Sequence, residues 1–531
     1  MGSICFKLTT IRSSNAIKLS PSSSLASKSS RNPFGSVNFR PTIRHLRLTP
    51  SMPRSLLAAR QAWLAQASGA GARPNPEAPM RRLALCSRKF SPPGCHNPWT
   101  FASNYQMKLN ACARRIAVFA LLFCATTLLQ AREEKAQQQK EDEVRGAPAE
   151  PDDAVEVRNQ IADVQALLPA FVDRGAALYF LAAARMHLLE TREALELLKQ
   201  CMALEEGFDP SGGPEFAALR GEHVFTEIVE RAKARFPVVA QARKALVTED
   251  RDLIPEGLAW DAKREVFYLS SLHRRKIVQI NLENRVSDFL QPAPEPLLPV
   301  LGIRLDPNDG TAWASTWEEK PGASRSQLLH FDGGGKILAR FAPEDVSQHG
   351  FNDLVVRKAG DVFVTDSLAN RAFRLDPVRK TFSPLQLHRK LYYPNGIALA
   401  DDDRTLFIAD ALGVVKFDIT ASSSTDVAPG PHNTLAGVDG LYWHRGSLIA
   451  IQNGIGTPRV AAHRLTADGT RVNKVTVLEF RTTLSVLPTT GAIRGTDFYF
   501  IANSQIDNLN GDKILDLTRL EPVRIAVVHL P

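Results

Sequence analysis

The chain has 531 residues, and 65 Lys and Arg against 56 Asp and Glu give it a net charge of +9. This length exceeds one ordinary domain, so we expect at least two. Residues 1–106 hold 15 basic residues and a single acidic one, Glu77, which leaves the remaining chain mildly acidic. The positive charge therefore belongs to one tail, and the composition predicts no nucleic-acid partner.

Cysteine usage changes along the chain in the same way. Five of the six cysteines precede residue 131, and only Cys201 follows it. The C-terminal part therefore cannot form an internal disulfide or a cysteine-based zinc site.

Residues 107–131 have the pattern of a secretory signal peptide. Lys108, Arg114 and Arg115 precede an apolar run that ends before the small residue Ala131. The run is short for a membrane span, so we expect a secreted or periplasmic protein without a stable span once the signal is cleaved.

A signal peptide belongs at an N-terminus. We therefore expect Met107 to be the true start and residues 1–106 to be disordered upstream sequence. A transit peptide and an uncleaved signal anchor remain alternatives. Residues 132–154 predict a charged linker.

Residues 155–235 have helical periodicity. They predict two amphipathic helices with a turn at 189–191, and the small residues Ala182, Ala194 and Cys201 would let the helices pack closely. The segment resembles a tetratricopeptide helical hairpin, which implies a protein partner bound through it. A helical cap packed on the next domain is an equal alternative.

From residue 250 onwards, short apolar runs alternate with Gly, Asp, Asn and Pro turns. One pattern of strand, turn and strand recurs at positions 256, 301, 352, 395, 439 and 490, in steps of 45, 51, 43, 44 and 51 residues. Such a period with four short strands per unit is typical of propeller blades. The sequence predicts a mainly β fold, a six-bladed β-propeller over residues 236–531 after a small α-helical segment. Residues 236–250 would supply the strand that closes the ring.

The aligned positions predict a cluster at the mouth of the central channel, because the first strand of each propeller blade lines that channel. The six residues are Glu256, Leu301, Asn352, Asn395, Asp439 and Thr490. Two carboxylates and two amide oxygens among them suit a hard divalent cation. The alternative is that these are ordinary turn residues between blades. The glycine after Asn395 is expected to let the backbone turn into the strand.

The motifs "PEG" at Glu256, "FND" at Asn352, "PNG" at Asn395 and "VDG" at Asp439 resemble those of the senescence-marker-protein/gluconolactonase family of six-bladed propellers. "GFNDLVV" is also similar to paraoxonase-type lactonases. The resemblance implies that these four residues bind one divalent cation. Ca²⁺ is expected first, and Mg²⁺, Mn²⁺ and Zn²⁺ are alternatives.

The resemblance also implies hydrolysis of a small-molecule lactone or ester. The cation would polarise the carbonyl, Asp439 would activate the attacking water, and Asp353 would orient Asn352 from behind. One position departs from the sugar-lactone enzymes, which place an arginine where this chain has Gly350, and the substrate therefore stays open.

Two aromatic residues, His349 and Trp317, are further candidates. His349 could serve as a second catalytic residue in proton transfer, although a solvated loop histidine is favoured. Trp317 could pack on a ligand. A non-catalytic propeller that holds a structural cation and acts as a binding module remains the alternative function.

Overall fold

The computed structural model describes residues 154–291, 295–320, 322–345 and 347–531. The upstream segment predicted for residues 1–106, the signal peptide predicted for 107–131 and all but the last residue of the linker predicted for 132–154 lie outside the described residues. Within the described part, no helix is long and apolar enough to cross a membrane.

Four α-helices precede the sheets: α1 Ala154–Leu167, α2 Arg174–His187, α3 Thr191–Ala203 and α4 His223–Arg235. Helices α2 and α3 form a hairpin whose turn, 188–190, lies one residue before the predicted one. The small residues Ala182, Ala194 and Cys201 are fully buried in one apolar cluster. This confirms that small side chains allow the two helices to pack closely.

Six sheets of four or five strands follow, which confirms the six-bladed β-propeller. Two short strands, β1 Val239–Ala240 and β2 Arg243–Thr248, come first in the chain. Blade 1 contains β3 Leu258–Asp261, β4 Val266–Ser271, β5 Lys276–Asn281 and β6 Val286–Asp288. Blade 2 contains β7 Val300–Leu305, β8 Ala312–Glu318, β9 Arg325–Phe331 and β10 Ile337–Phe341. Blade 3 contains β11 Phe351–Val356, β12 Val362–Asp366, β13 Arg371–Asp376 and β14 Thr381–Pro384.

The other three blades continue this plan. Blade 4 contains β15 Ile397–Leu399, β16 Thr405–Asp410, β17 Gly413–Asp418 and β18 Ser423–Asp426. Blade 5 contains β19 Val438–His444, β20 Ser447–Gln452, β21 Arg459–Leu465 and β22 Val472–Phe480. Blade 6 contains β23 Gly491–Arg494, β24 Asp497–Ile501 and β27 Val523–His529. A small hairpin, β25 Leu509–Asn510 and β26 Lys513–Ile514, interrupts blade 6 between β24 and β27.

The inner strands contact one another in a closed circle, in the order β3, β7, β11, β15, β19, β23 and back to β3. Six apolar clusters fill the six interfaces between neighbouring blades. Alternating apolar residues in each strand supply these clusters, and their burial is the main driving force that holds the blades together.

The strand that closes the ring comes from the start of the propeller. Strand β2 pairs antiparallel with β27, so it becomes the outermost strand of blade 6. Strand β1 pairs with β22 and adds a fifth strand to blade 5. This confirms the prediction that residues 236–250 close the ring.

The helical segment packs on loops of blades 4 and 5. Helices α1 and α2 share an apolar cluster with Tyr392, Ala411 and Leu412 of blade 4. A second cluster joins the helices to Ala436 and Ile455 of blade 5. The loops of Tyr392 and Ala436 lead into inner strands, so the helices cover the face of the propeller where the aligned positions lie.

Polar contacts reinforce this packing at Asp173 and Asp209. The Asp173 carboxylate accepts hydrogen bonds from the Ala176 N–H of its own helix at 3.0 Å and from the Leu435 N–H of blade 5 at 2.8 Å. Asp209 forms an ion pair with Arg481 of blade 5 at 2.8 Å. The segment is therefore a cap on the propeller, one of the two alternatives that the sequence left open.

Candidate metal centre

The six aligned positions lie at the entrances of the six inner strands. Three precede their strand by one or two residues: Glu256, Asn395 and Thr490. Three are the second residue of their strand: Leu301, Asn352 and Asp439. In these three strands the pairing register shifts at the aligned position, which marks a β-bulge. A bulge redirects a side chain out of the regular pleat, so it can aim these residues away from the sheet.

A glycine follows five of these positions, and the reason differs from the one predicted. A Cβ atom on Gly396 would lie 2.6 Å from the backbone oxygen of Asp439, and one on Gly257 would lie 2.0 Å from that of Leu301. Neither glycine has a positive φ. The glycines are therefore required by the close approach of the next blade's backbone, and the prediction that Gly396 serves to turn the chain is wrong.

Hydroxyl groups fix the backbones of these positions across blade boundaries. The Thr490 hydroxyl of blade 6 donates to the Glu256 backbone oxygen at 2.7 Å. The Thr365 hydroxyl of blade 3 donates to the Asn395 backbone oxygen at 2.6 Å. Since each link joins one blade to the next, the positions are held by the closed ring and not by local turns alone.

The four predicted ligands are buried, with exposed fractions of 2% for Glu256, 6% for Asn352, 4% for Asn395 and 1% for Asp439. Buried polar groups are costly unless they find partners. The partners that hold three of them were not predicted from the sequence.

Each of these partners lies just after the second strand of a blade. The Ser504 hydroxyl donates to Glu256 Oε2 at 3.2 Å, and Asn453 Nδ2 donates to Asp439 Oδ2 at 2.5 Å. Asn352 Nδ2 donates to the Ser367 hydroxyl at 3.0 Å, which leaves the Asn352 oxygen as its atom for a cation. The signal was present as a polar residue that ends "VTDS", "IAIQN" and "IANS", but a polar strand end is too common to single out.

Two buried oxygens at this centre have no partner. Asn395 Oδ1 and Asp439 Oδ1 accept no hydrogen bond from any residue that the structure describes. Burial raises the pKa of Asp439 to about 8, the hydrogen bond from Asn453 and the nearby Asn395 amide lower it, and the charge of Asp353 raises it further. A hard cation would satisfy both oxygens and favour the ionised carboxylate, so the residues fit the predicted cation.

The structure brings the four residues together in two pairs. Asn395 lies close enough to Asp439 to act on its pKa. Glu256 and Asn352 line one cavity of about 250 Å³, together with Leu301, which occupies the aligned position between them. Nowhere in the described part, this centre included, are three His, Cys, Asp or Glu side chains grouped as metal ligands, and two of the four residues here are amides.

The contacts of Asp353 differ from the prediction that this residue orients Asn352. Its carboxylate accepts from Arg304 Nη2 at 2.7 Å and from the Leu354 N–H at 2.8 Å, while Ser367 is the residue that holds the Asn352 amide. The Arg304 guanidinium lies over the Tyr442 ring, 5.0 Å from its centre. Asp353 therefore belongs to a buried ion pair beside the centre, and it affects Asp439 through its charge.

His349 is not the solvated loop histidine that the sequence favours. It is buried, its Nδ1 contacts Asp366 Oδ2 at 2.6 Å, and its Nε2 contacts Asp345 Oδ1 at 2.7 Å. Burial would lower the pKa of His349, but the two carboxylates outweigh burial and raise it. With both ring nitrogens engaged, and with the ring outside the cavity lining, His349 has no nitrogen directed at a substrate.

Comparison with known proteins shows similarity in structure only. The chain matches no protein-family model and no curated protein. Among solved structures it is similar to an aldose sugar dehydrogenase from Streptomyces coelicolor, at 16% identity and a TM-score of 0.38 over 54% of this chain and 98% of that one.

Two other similar structures have different activities. A gluconolactonase from Xanthomonas campestris is 16% identical, with a TM-score of 0.36 over 56% of this chain and 93% of that one. A virginiamycin B lyase from Staphylococcus aureus is 18% identical, with a TM-score of 0.35 over 49% of this chain and 80% of that one. Likeness at this level does not select among these activities.

Proposed function

We propose that this protein is a metal-dependent hydrolase of lactones or related esters. The observation that supports the proposal is the pair of buried, unpartnered oxygens, Asn395 Oδ1 and Asp439 Oδ1. They belong to the same ring of aligned positions as Glu256 and Asn352, which line a cavity. Buried acceptors without donors are costly, so a site built around them indicates a bound cation.

Glu256, Asn352, Asn395 and Asp439 would hold the divalent cation, most simply Ca²⁺, through two carboxylate and two amide oxygens. When bound, a cation there supplies charge stabilisation for the oxyanion that forms when water attacks a carbonyl. Glu256 and Asn352 face the cavity, so the substrate carbonyl would bind on their side of the ring.

Asp439 would accept the proton of the attacking water. Asn453 holds its Oδ2 by a hydrogen bond, which fixes the carboxylate and leaves Oδ1 for the cation or the proton. A base held in one orientation is what general base catalysis needs, because the proton must move along a short hydrogen bond.

The test is Asp439→Asn, with lactone hydrolysis and bound metal measured in parallel. The variant keeps an oxygen for the cation and loses the base, so we expect turnover to fall by about 10²–10⁴-fold at saturating metal. Removal of the cation with a chelator should abolish wild-type hydrolysis, and added Ca²⁺ should restore it. If Asp439→Asn hydrolyses the substrate as fast as wild type with metal bound, this mechanism is wrong.

Asn395→Asp is the matched control. It adds a negative charge at the neighbouring ligand, so it should tighten metal binding without supplying a base at position 439. In a propeller with a purely structural cation, both variants would change thermal stability in a metal-dependent way, and neither would have activity to lose. That second function would also leave the proteins inactive on every lactone and ester offered.

A further inference from the structure

The cavity beside the candidate metal centre has an apolar wall. Leu272, Leu301 and Leu509 are almost fully buried in a cluster to which Trp317 and Ile506 also belong. All five residues line the cavity. Leu301 holds the aligned position between Glu256 and Asn352, so the apolar wall begins inside the ring of candidate ligands.

Trp317 occupies space that other side chains cannot enter. A Cβ atom on Gly350 would lie 2.8 Å from the Trp317 indole, so the ring lies directly on that glycine. Its indole N–H is buried and meets no acceptor among the described residues. Trp317 therefore gives the cavity a flat surface for packing. Because the ring lies on Gly350, there is no space at position 350 for the arginine of the sugar-lactone enzymes, and the hydrogen-bond donors of that arginine are absent here.

The insertion in blade 6 covers this wall. Ile506 and Leu509, which come from the segment between β24 and β27, line the same cavity as Glu256. The insertion thus covers the propeller face at blade 6, and the helices cover the same face at blades 4 and 5. A ligand that reaches the centre through this cavity passes between the insertion and Trp317.

One charged residue of the cavity lining, Glu318, is neutralised within the protein; the lining also contains Glu256, Arg275, Glu319, Lys320 and Asp512. Glu318 forms ion pairs with Arg275, Lys320 and Arg325, each at 3.0 Å. Burial would raise the pKa of Glu318, but these cations outweigh burial and hold its pKa below the ordinary value. Because the charge of Glu318 is already balanced by these three residues, Glu318 does not require a positively charged group on the ligand.

We propose that the cavity binds the apolar alkyl or aryl part of a lactone or ester, and that Trp317 determines this preference. The inference rests on the proposed function and adds the substrate class to it. A hydroxylated, sugar-like substituent would lose its hydration where it lies against the leucines and Trp317, because this wall offers it no acceptor and no donor except the buried indole N–H, and we expect it to bind less well for that reason.

The experiment uses the full chain with Ca²⁺ and a series of δ-lactones that carry unbranched alkyl substituents of increasing length. A hydroxylated sugar δ-lactone serves as the polar comparison. For wild type, kcat/KM should rise about fourfold per added CH₂ over the first members, because each one is removed from water. The hydroxylated lactone should be at least about tenfold poorer than the alkyl lactones.

The substitution Trp317→Ala should flatten the dependence on chain length, and Trp317→Phe should retain most of it. The matched control is Trp443→Ala. Trp443 also has a buried, unpartnered indole N–H, but it stacks on Phe407 between blades 4 and 5, away from the cavity lining. Its removal should leave the chain-length dependence intact.

Calorimetric binding of unbranched carboxylates, from butanoate to octanoate, separates the two proposals. If no lactone is hydrolysed but carboxylate affinity rises with chain length and Trp317→Ala removes that rise, the proposed function fails and the apolar cavity stands. If lactones are hydrolysed with no dependence on chain length, or the hydroxylated lactone is the best substrate, the inference is overturned while the hydrolase stands.

Discussion

At the scale of single residues, the motifs that repeat around the propeller combine two separate requirements. After Glu256, Leu301, Asn395 and Asp439 the glycine is needed because the next blade's backbone comes close, whereas Gly491 after Thr490 is crowded by Phe498 and Tyr499 of its own blade. The glycine is thus present even after Leu301 and Thr490, which offer no carboxylate or amide. The residue before the glycine is free to vary and carries the chemistry. In motifs such as Asn-Gly and Asp-Gly, the glycine therefore reflects blade packing, and the residue before it belongs to the candidate metal centre.

Gly396→Ala tests the packing requirement. The new Cβ atom would lie 2.6 Å from the Asp439 backbone oxygen and 2.7 Å from the Leu441 nitrogen, so the two strands must separate. We expect a loss of about 1–3 kcal/mol in the free energy of unfolding, measured by urea denaturation, together with weaker metal binding.

Gly334→Ala is the control for that change. Its Cβ atom would meet only Asp332 and Gln291 side chains, at 3.4 and 3.9 Å, so stability should change by no more than about 0.5 kcal/mol. Equal stability of the Gly396→Ala protein and wild type would show that close approach does not explain this glycine.

The sequence identified positions 256, 352, 395 and 439 because a repeat aligns them, and alignment needs no knowledge of distance. It missed Ser367, Asn453 and Ser504, because a polar residue at a strand end has many ordinary uses. It misjudged His349 because Asp366, the partner that lies at the end of β12, reaches the imidazole only when blade 3 folds, and because Asp345, four residues earlier on the same loop, gives no signal of this contact in the sequence.

At the scale of elements, the helical segment was predicted as helices but its docking was not. Helical periodicity is a local property, whereas Asp173 meets Leu435 from a distant part of the chain. This one carboxylate satisfies the N-terminus of α2 and the loop before β19 at the same time. It therefore couples the stability of a helix to the position of a blade.

Asp173→Ala should lower the free energy of unfolding by about 2–4 kcal/mol. The change removes a helix cap, worth about 1 kcal/mol, and leaves the buried Leu435 N–H and the Thr434 hydroxyl without their acceptor. Urea denaturation measures the loss. Gln165→Ala, on the exposed side of α1, is the control and should stay within about 0.5 kcal/mol of wild type.

Asp173→Asn adds a pH test to the same contact. Burial raises the pKa of Asp173 to about 6, from an ordinary value of 3.8, although its hydrogen bonds oppose the rise. Between these values the unfolded state loses the proton before the folded state does, so wild-type stability should fall as pH rises through that range. The Asn variant should lack this contribution, and an unchanged pH slope would contradict it.

At the scale of the whole molecule, six blades form a ring that one pairing closes. The sequence predicted both the number of blades and the closing strand, because a period is counted directly and the left-over strand must pair with the incomplete blade. It did not predict the insertion between β24 and β27, since those residues carry no repeat signal. The insertion matters for the cavity, where Ile506 and Leu509 face Trp317.

A disulfide across the closing pair tests its role. Val247 and Arg524 are opposite one another in β2 and β27, where antiparallel Cα atoms lie about 4.5–5.5 Å apart, within disulfide range. The oxidised protein with Val247→Cys and Arg524→Cys should gain about 2–4 kcal/mol in the free energy of unfolding, measured against its own reduced form.

The comparison pair combines Val247→Cys with His529→Cys. His529 pairs with Asp497 on the other side of β27, so these two cysteines should not form a bond. The closing pairing would be refuted if the comparison pair cross-linked and the Val247–Arg524 pair did not.

The pairing that closes the ring also limits when the propeller can fold during synthesis. Strand β2 leaves the ribosome before any blade is complete, yet its partner β27 is made after all the other strands of the six blades. Pairing between such distant segments is slow, because a long loop must close before the contact is made. The helices must also wait for their docking loops in blades 4 and 5. The nascent chain therefore carries an uncovered helical face until blades 4 and 5 have emerged, and an unpaired edge strand until β27 has emerged. We expect a chaperone to bind the nascent chain mainly during that interval.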